Sequence, residues 1–252
     1  MGRAHKLARY LEQPHLWRLR QRGVNVDEYL RLNRGWLHSL RIATVLDIGA
    51  NVGQFCQIAS TLWPQARIYA FEPLRDCYEQ LKSRMVGCGK VVAFNVGLGE
   101  QRGEACFERN AFSASSSFLK MAELHKSNYP ETRTSETVTV KIERLDELAQ
   151  ELDLQEPILV KIDVQGYEDR VLRGGEQTVR RAQVILVETS FEPLYEGQLL
   201  FDGIHELLGK WGFRYAGAVG QLQSPLDGRV LQADSLFVRR VESRSPGVGT
   251  RG

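Results

Sequence analysis

Four acidic residues and one glycine turn hold most of the chemical potential of this chain. Asp47 lies in "LDIGANVG" (46–53), Glu72 in "YAFEP", Asp163 in "VKIDVQGYE" and Glu188 in "LVETSFEP". Each sits at or near the end of an apolar run. A carboxylate so placed can grip hydroxyls, balance a cation or take up a proton. Gly49 and Gly53 bracket a tight turn, where glycine permits positive φ and lets a ligand approach the backbone. A helical pattern follows from Gln54, so unpaired N–H groups face the turn.

The spacing is G-x-x-x-G, not the G-x-G-x-x-G of dinucleotide sites. An acid beside the turn suits a cationic ligand better than a pyrophosphate. Glu72 ends the second apolar run, where an acid hydrogen-bonds ribose hydroxyls. Together these features fit S-adenosylmethionine. Its amino-acid end would lie on Asp47, Gly49, Ala50, Asn51, Gly53 and Gln54, and its ribose at Glu72 and Pro73. Its adenine would lie near Asn95 and Gly97 in "FNVGLG".

Methyl transfer from such a donor is an in-line displacement, and a hydroxyl acceptor needs a base or a metal to activate it. Asp163 is the first candidate base; it could equally bind the donor's ammonium or cap the next helix. Glu188 is the second, acting as base or as a Mg²⁺ ligand together with Asp163. His205, in a predicted helix, is a third candidate base. Gln165 and Glu168 follow Asp163 in the same turn, with Gly166 allowing it to bend. Tyr195 and Glu196, in "FEPLYEGQ", could contact a polyhydroxylated acceptor, or serve only to shape a loop.

The elements that must position these residues are legible as a strand–helix alternation. Apolar runs occupy 44–48, 67–71, 91–96, 158–162, 184–187, 213–219 and 235–238, with helical stretches at 54–62 and 75–85. Near-continuous Val/Ile/Leu runs are those of strands covered on both faces, and the alternation is that of a doubly wound α/β sheet. Residues 99–141 interrupt it. They hold candidate strands at 105–108 and 138–142 around the loop "SASSS", an antiparallel arm long enough to act as a lid. Residues 1–41 read as a basic helical extension punctuated by Pro14 and Gly23, and 241–252 have the composition of a disordered tail.

Net charge is +2 over 252 residues, no field that would draw nucleic acid. Positive charge concentrates in residues 1–40, with eight Lys/Arg against three acids. That arm could cover the site, pack on its own sheet or join two copies as a homo-oligomer. The four cysteines form no CxxC pair, and with no signal-peptide pattern or membrane-length apolar run the expected location is cytoplasmic.

Six segments, "VLDIGANVGQF", "AFEP", "NVGLG", "VTVKIERLDEL", "ILVKIDVQGYEDRVLRGG" and "ILVETSFEPLYEGQ", together with "ADSLFVRR" near residue 240, give a more specific pattern. Across about residues 42–240 the chain resembles the FkbM-type methyltransferases of the class I, Rossmann-like group. The resemblance implies a seven-stranded sheet of order 3-2-1-4-5-7-6 and methylation of a hydroxyl. Acceptors would be sugars, polysaccharides or glycosylated and polyketide natural products. N-methylation, another use of the same donor, and a non-catalytic donor-binding role remain as alternatives.

Overall fold

The computed structural model describes residues 10, 12–88, 90–110, 116–129 and 135–240. Within them ten strands follow the chain: β1 (Thr44–Ile48), β2 (Arg67–Phe71), β3 (Val91–Phe94), β4 (Gly97–Leu98), β5 (Gly103–Asn110), β6 (Ser135–Glu143), β7 (Ile158–Ile162), β8 (Val184–Ser190), β9 (Phe213–Gln223) and β10 (Val230–Arg239). Seven form the main sheet, ordered β3-β2-β1-β7-β8-β10-β9; β4, β6 and β5 make a small second sheet. Numbered along the whole chain the main sheet reads 3-2-1-7-8-10-9, because the second sheet intervenes. Its seven strands numbered among themselves read 3-2-1-4-5-7-6. Only β10 runs against its neighbours, β8 and β9.

Apolar runs became strands because helices cover both faces. Val45, Leu159, Leu186 and Leu236 face one core layer, shared with α4 (Gln54–Leu62). Leu46, Val160, Ile185 and Phe237 face the other, shared with α8 (Glu168–Gly174) and α10 (Phe201–Lys210); the short helices α7 (Leu145–Leu148) and α9 (Glu176–Val179) flank α8 in the chain. Four strands of the main sheet differ from the sequence expectation. β3 stops at Phe94 because the Asn95 side chain turns to donate to the carbonyls of Glu72 (3.0 Å) and Pro73 (2.9 Å). β8 continues to Ser190 because β10 pairs with it that far. β9 and β10 are longer than their apolar stretches, with three register shifts between them.

The basic extension contributes α1 (Pro14–Gln21), α2 (Val26–Leu32) and α3 (Gly35–Ser39). Pro14 opens α1, where its missing N–H costs nothing. Leu16, Leu19, Val26, Tyr29, Leu32 and Leu37 join the first core layer, so this extension packs on its own sheet. Trp17 and Trp36 stay half-exposed. The insert supplies β5, most of β6 and α6 (Glu123–Asn128), and Phe107 and Val140 seat it on α5 (Arg75–Arg84) through Leu74 and Cys77. Residues 111–115 and 130–134 of the insert, and the expected tail at 241–252, lie outside the described residues.

Candidate active site

A cleft of about 260 Å³ opens where β1, β2 and β3 end. The backbone after β1 passes through three left-handed residues, Gly49 (φ 76°), Asn51 (φ 49°) and Gly53 (φ 87°). Sequence reasoning gave the glycines the task of clearing space for a ligand, but the structure assigns them neighbours within the protein. A Cβ at Gly49 would overlap the carbonyl oxygen of Asp163, because β7 runs beside β1; one at Gly53 would lie 2.6 Å from Leu81 Cδ1.

Of the residues expected at the site, Gly49, Ala50, Asn51, Gln54, Glu72, Pro73, Gly97, Asp163 and Gln165 line the cleft. Asp47, Gly53 and Asn95 stand behind its wall. Glu72 is 5% exposed and accepts from the N–H groups of Asn51 (2.8 Å) and Leu74 (2.9 Å). Burial pushes its carboxyl up to about 7 against those hydrogen bonds. Asn95 clips the β2 and β3 ends together through the two carbonyl bonds described above, which occupies its amide nitrogen.

Asp47 and Lys161 are register partners on β1 and β7, so their side chains leave the same face of the sheet side by side. Asp47 is fully buried, accepts from Cys56 Sγ at 3.1 Å and lies 3.3 Å from Lys161 Nζ. Lys161 donates to the Gly49 carbonyl at 2.9 Å and lies 3.5 Å from Asp163 Oδ2. Burial opposes its charge, but the carboxylates of Asp163 and Asp47 outweigh burial and hold the ammonium above its ordinary range. Removing one partner of such a pair costs about 3–5 kcal/mol.

Beyond Asp163, a second network joins the strand ends. Gln165, at φ 55°, donates from its amide nitrogen to Asp163 Oδ1 (2.8 Å) and to Glu188 Oε2 (2.7 Å). Its amide oxygen accepts from the Tyr195 hydroxyl at 2.7 Å. Gln232 adds a bond to Glu188 at 2.9 Å. Burial raises the Glu188 carboxyl well above the usual range, with Asp163, Glu168 and Asp234 adding repulsion. Asp234 stands directly opposite Glu188 in the β8–β10 pair and is raised as well, by burial first.

The remaining candidates fall elsewhere. Glu168, 5% exposed, accepts from the N–H groups of Val164 and Gly166, both at 3.1 Å, and so ties the turn that presents Gln165. Burial raises it to about 7. Tyr195 is fully buried behind Gln165, and Gly166 leaves room for its ring. Glu196 is exposed, its N–H bound to the Lys120 carbonyl. His205 is exposed on α10, stacked on Phe201 at 5.7 Å, and lines no part of the cleft. Among the described residues, no three of His, Cys, Asp or Glu gather to hold a metal ion. The Mg²⁺ expectation finds an N–H donor, that of Gln165, placed between Asp163 and Glu188; these two residues as arranged do not fit a cation.

Other wall residues were not read from sequence. Lys161 hides inside the apolar run of β7. Asn25 and Glu28 come from the basic extension, and Phe107, Ser116 and Phe118 from the insert. Burial raises Glu28 to about 6, opposed by Lys161. Among the described residues the charged groups on the wall are the carboxylates of Glu28, Glu72 and Asp163 and the ammonium of Lys161, an excess of negative charge.

The fold and this cleft define an α/β protein of the class I methyltransferase type. Residues 47–215 match the methyltransferase FkbM domain. The chain belongs to the FkbM methyltransferase family and is an S-adenosylmethionine-dependent methyltransferase. It is 28% identical over 193 residues to the 2-O-methyltransferase NoeI of Sinorhizobium fredii, spanning 74% of this chain and 77% of that one. It is 29% identical over 143 residues to the hexuronic acid methyltransferase AglP of Haloferax volcanii, spanning 56% and 54%. A solved FkbM methyltransferase from Methylobacillus flagellatus superposes with a TM-score of 0.49 at 13% identity, over 93% of this chain and 60% of that one.

Proposed function

We propose that the chain methylates a hydroxyl of a sugar or glycosylated acceptor, with Asp163 as general base. The observation behind this reading is the Asp163–Gln165–Glu188 bridge at the rim of the cleft. Asp163 is 38% exposed toward the cleft, and the Gln165 amide fixes its orientation from behind. A carboxylate held this way can accept the proton of a hydroxyl brought against it.

The cleft suits the donor. S-adenosylmethionine supplies an electrophilic methyl group on a positively charged sulfur. Negative charge on the wall favours that cation, and Glu28 can face its ammonium. Glu72 can accept from the ribose hydroxyls through its remaining lone pairs. Phe71, Val96, Leu98, Phe107 and Phe118 form an apolar corner for a flat base. The insert bearing Phe107 and Phe118 would exclude water during transfer, in keeping with a lid.

The names of the two relatives support oxygen as the methylated atom and a sugar as its carrier. Replacing Asp163 by Asn tests the base. A positioned general base contributes about 10²–10⁴-fold, so Asp163→Asn should lower the turnover of radiolabelled methyl into sugar acceptors by that much. S-adenosylhomocysteine should still bind in calorimetry. Transfer at the wild-type rate would exclude Asp163 from this role.

A further inference from the structure

A side chamber adjoins the donor cleft on the far side of Asp163. Glu28, Phe55, Lys161 and Asp163 line both spaces, so the two share a wall. The chamber is closed by Glu188 on β8, Asp234 on β10 and Arg31 on α2. Its walls follow from strand periodicity. Asp47, Lys161, Glu188 and Asp234 alternate with residues of the opposite core layer, so all lie on the face that α2 covers. The sheet's apolar face thus ends in a polar strip, and α2 roofs it with Glu28 and Arg31.

We propose that this chamber receives the reacting edge of the acceptor, and that Glu28 and Asp234 select an uncharged polyhydroxylated sugar over a uronate. The inference rests on the donor and base reading above. At about 40 Å³ the chamber takes roughly three water-sized groups: a hydroxyl with its neighbours, not a whole ring. Such an edge would sit against Asp163, which the chamber shares with the donor cleft. Hydroxyls can donate to the carboxylates of Glu28, Glu188 and Asp234 and accept from Arg31. A ligand carboxylate would meet the carboxylates of Glu28, Asp163 and Asp234 against the two cations Lys161 and Arg31, with the raised carboxyl of Glu188 beside them. Taking an anion out of water into that surplus is costly.

Gly220 adds a geometric control. It pairs with Asp234 across β9 and β10, and a Cβ there would run into the Asp234 carboxylate and lie 2.9 Å from Arg31 Nη1. Gly220→Ala therefore crowds the chamber without altering the donor cleft, of which neither Gly220 nor Asp234 is part.

The test uses the full chain saturated with S-adenosylhomocysteine, probed by saturation-transfer NMR with methyl glucoside, methyl galactoside and methyl glucuronide. One of the neutral glycosides should bind, and the glucuronide at least tenfold more weakly. Asp234→Asn and Gly220→Ala should each weaken the neutral glycoside at least fivefold, leave S-adenosylhomocysteine affinity within twofold, and narrow the preference against the glucuronide. Glucuronide binding as tight as the neutral sugars, no binding of either neutral glycoside, or neutral-sugar binding insensitive to both variants would overturn the proposal. A wild-type protein that fails to bind S-adenosylhomocysteine would instead overturn the donor reading on which it stands.

Discussion

Replacing Glu72 by Gln removes a buried, titrating carboxyl from the floor of the donor cleft. Burial raises that carboxyl from its ordinary 4.5 to about 7. The folded protein therefore keeps the proton through a range in which the unfolded chain has released it. This contribution to stability is full below pH 4.5 and is lost as the pH rises through 7. At about 1.4 kcal/mol per unit, wild type should lose about 2.5 kcal/mol between pH 5 and pH 8 that Glu72→Gln does not lose. Urea unfolding of both proteins at a series of pH values reads this directly, since the other groups cancel in the difference. Binding gives a second reading. Ribose hydroxyls donating to Glu72 stabilise its ionised form, so S-adenosylhomocysteine should release a proton near pH 6.5 and bind more tightly as pH rises. Calorimetry in two buffers of different ionisation heat would detect the proton, and Glu72→Gln should abolish it. A stability gap that stays constant within about 0.5 kcal/mol over the pH range would refute the argument.

Other outcomes follow from the same geometry. Gly49→Ala places a Cβ against the Asp163 carbonyl at φ 76°; it should cost more than about 3 kcal/mol, read from the urea midpoint, and an unchanged midpoint would mean β1 and β7 can separate there. Tyr195→Phe removes the hydroxyl that holds the Gln165 amide oxygen. Loss of about 1–3 kcal/mol of stability is expected, with a fall in kcat of about fivefold, whereas an unaltered kcat would separate Tyr195 from the Asp163–Glu188 bridge.

What was legible in the sequence was whatever a local pattern could express. The runs at 44–48, 67–71 and 158–162 became strands with those bounds, because each is buried on both faces and needs no partner to identify it. The glycine turn and Glu72 were legible because their spacing follows strand ends. Lys161 was not, since one cation within "LVKI" reads as part of a strand; only the register with Asp47 gives it a partner. Glu28 and Asp234 were missed for a related reason. They lie far from the glycine turn in sequence, and only the packing of α2 and the pairing of β10 with β8 bring them to it. His205 shows the converse error: a residue type suited to catalysis, placed by its helix on the wrong side of the sheet.

Among the described residues, the insert meets the turn after β7 through the Phe118 ring on Tyr167 and through one buried hydroxyl. Ser117, fully buried and paired in a two-way bridge with Glu108, sends its hydroxyl to the Gln165 carbonyl at 2.5 Å. Gln165 is a non-glycine residue in left-handed backbone, a state worth about 1–2 kcal/mol to leave. The Ser117 hydroxyl joins the Glu168 carboxylate and the Tyr195 hydroxyl in holding this turn, and with it the amide that bridges Asp163 and Glu188. The position of the insert and the geometry of the Asp163–Glu188 bridge are thus tied together through one backbone carbonyl.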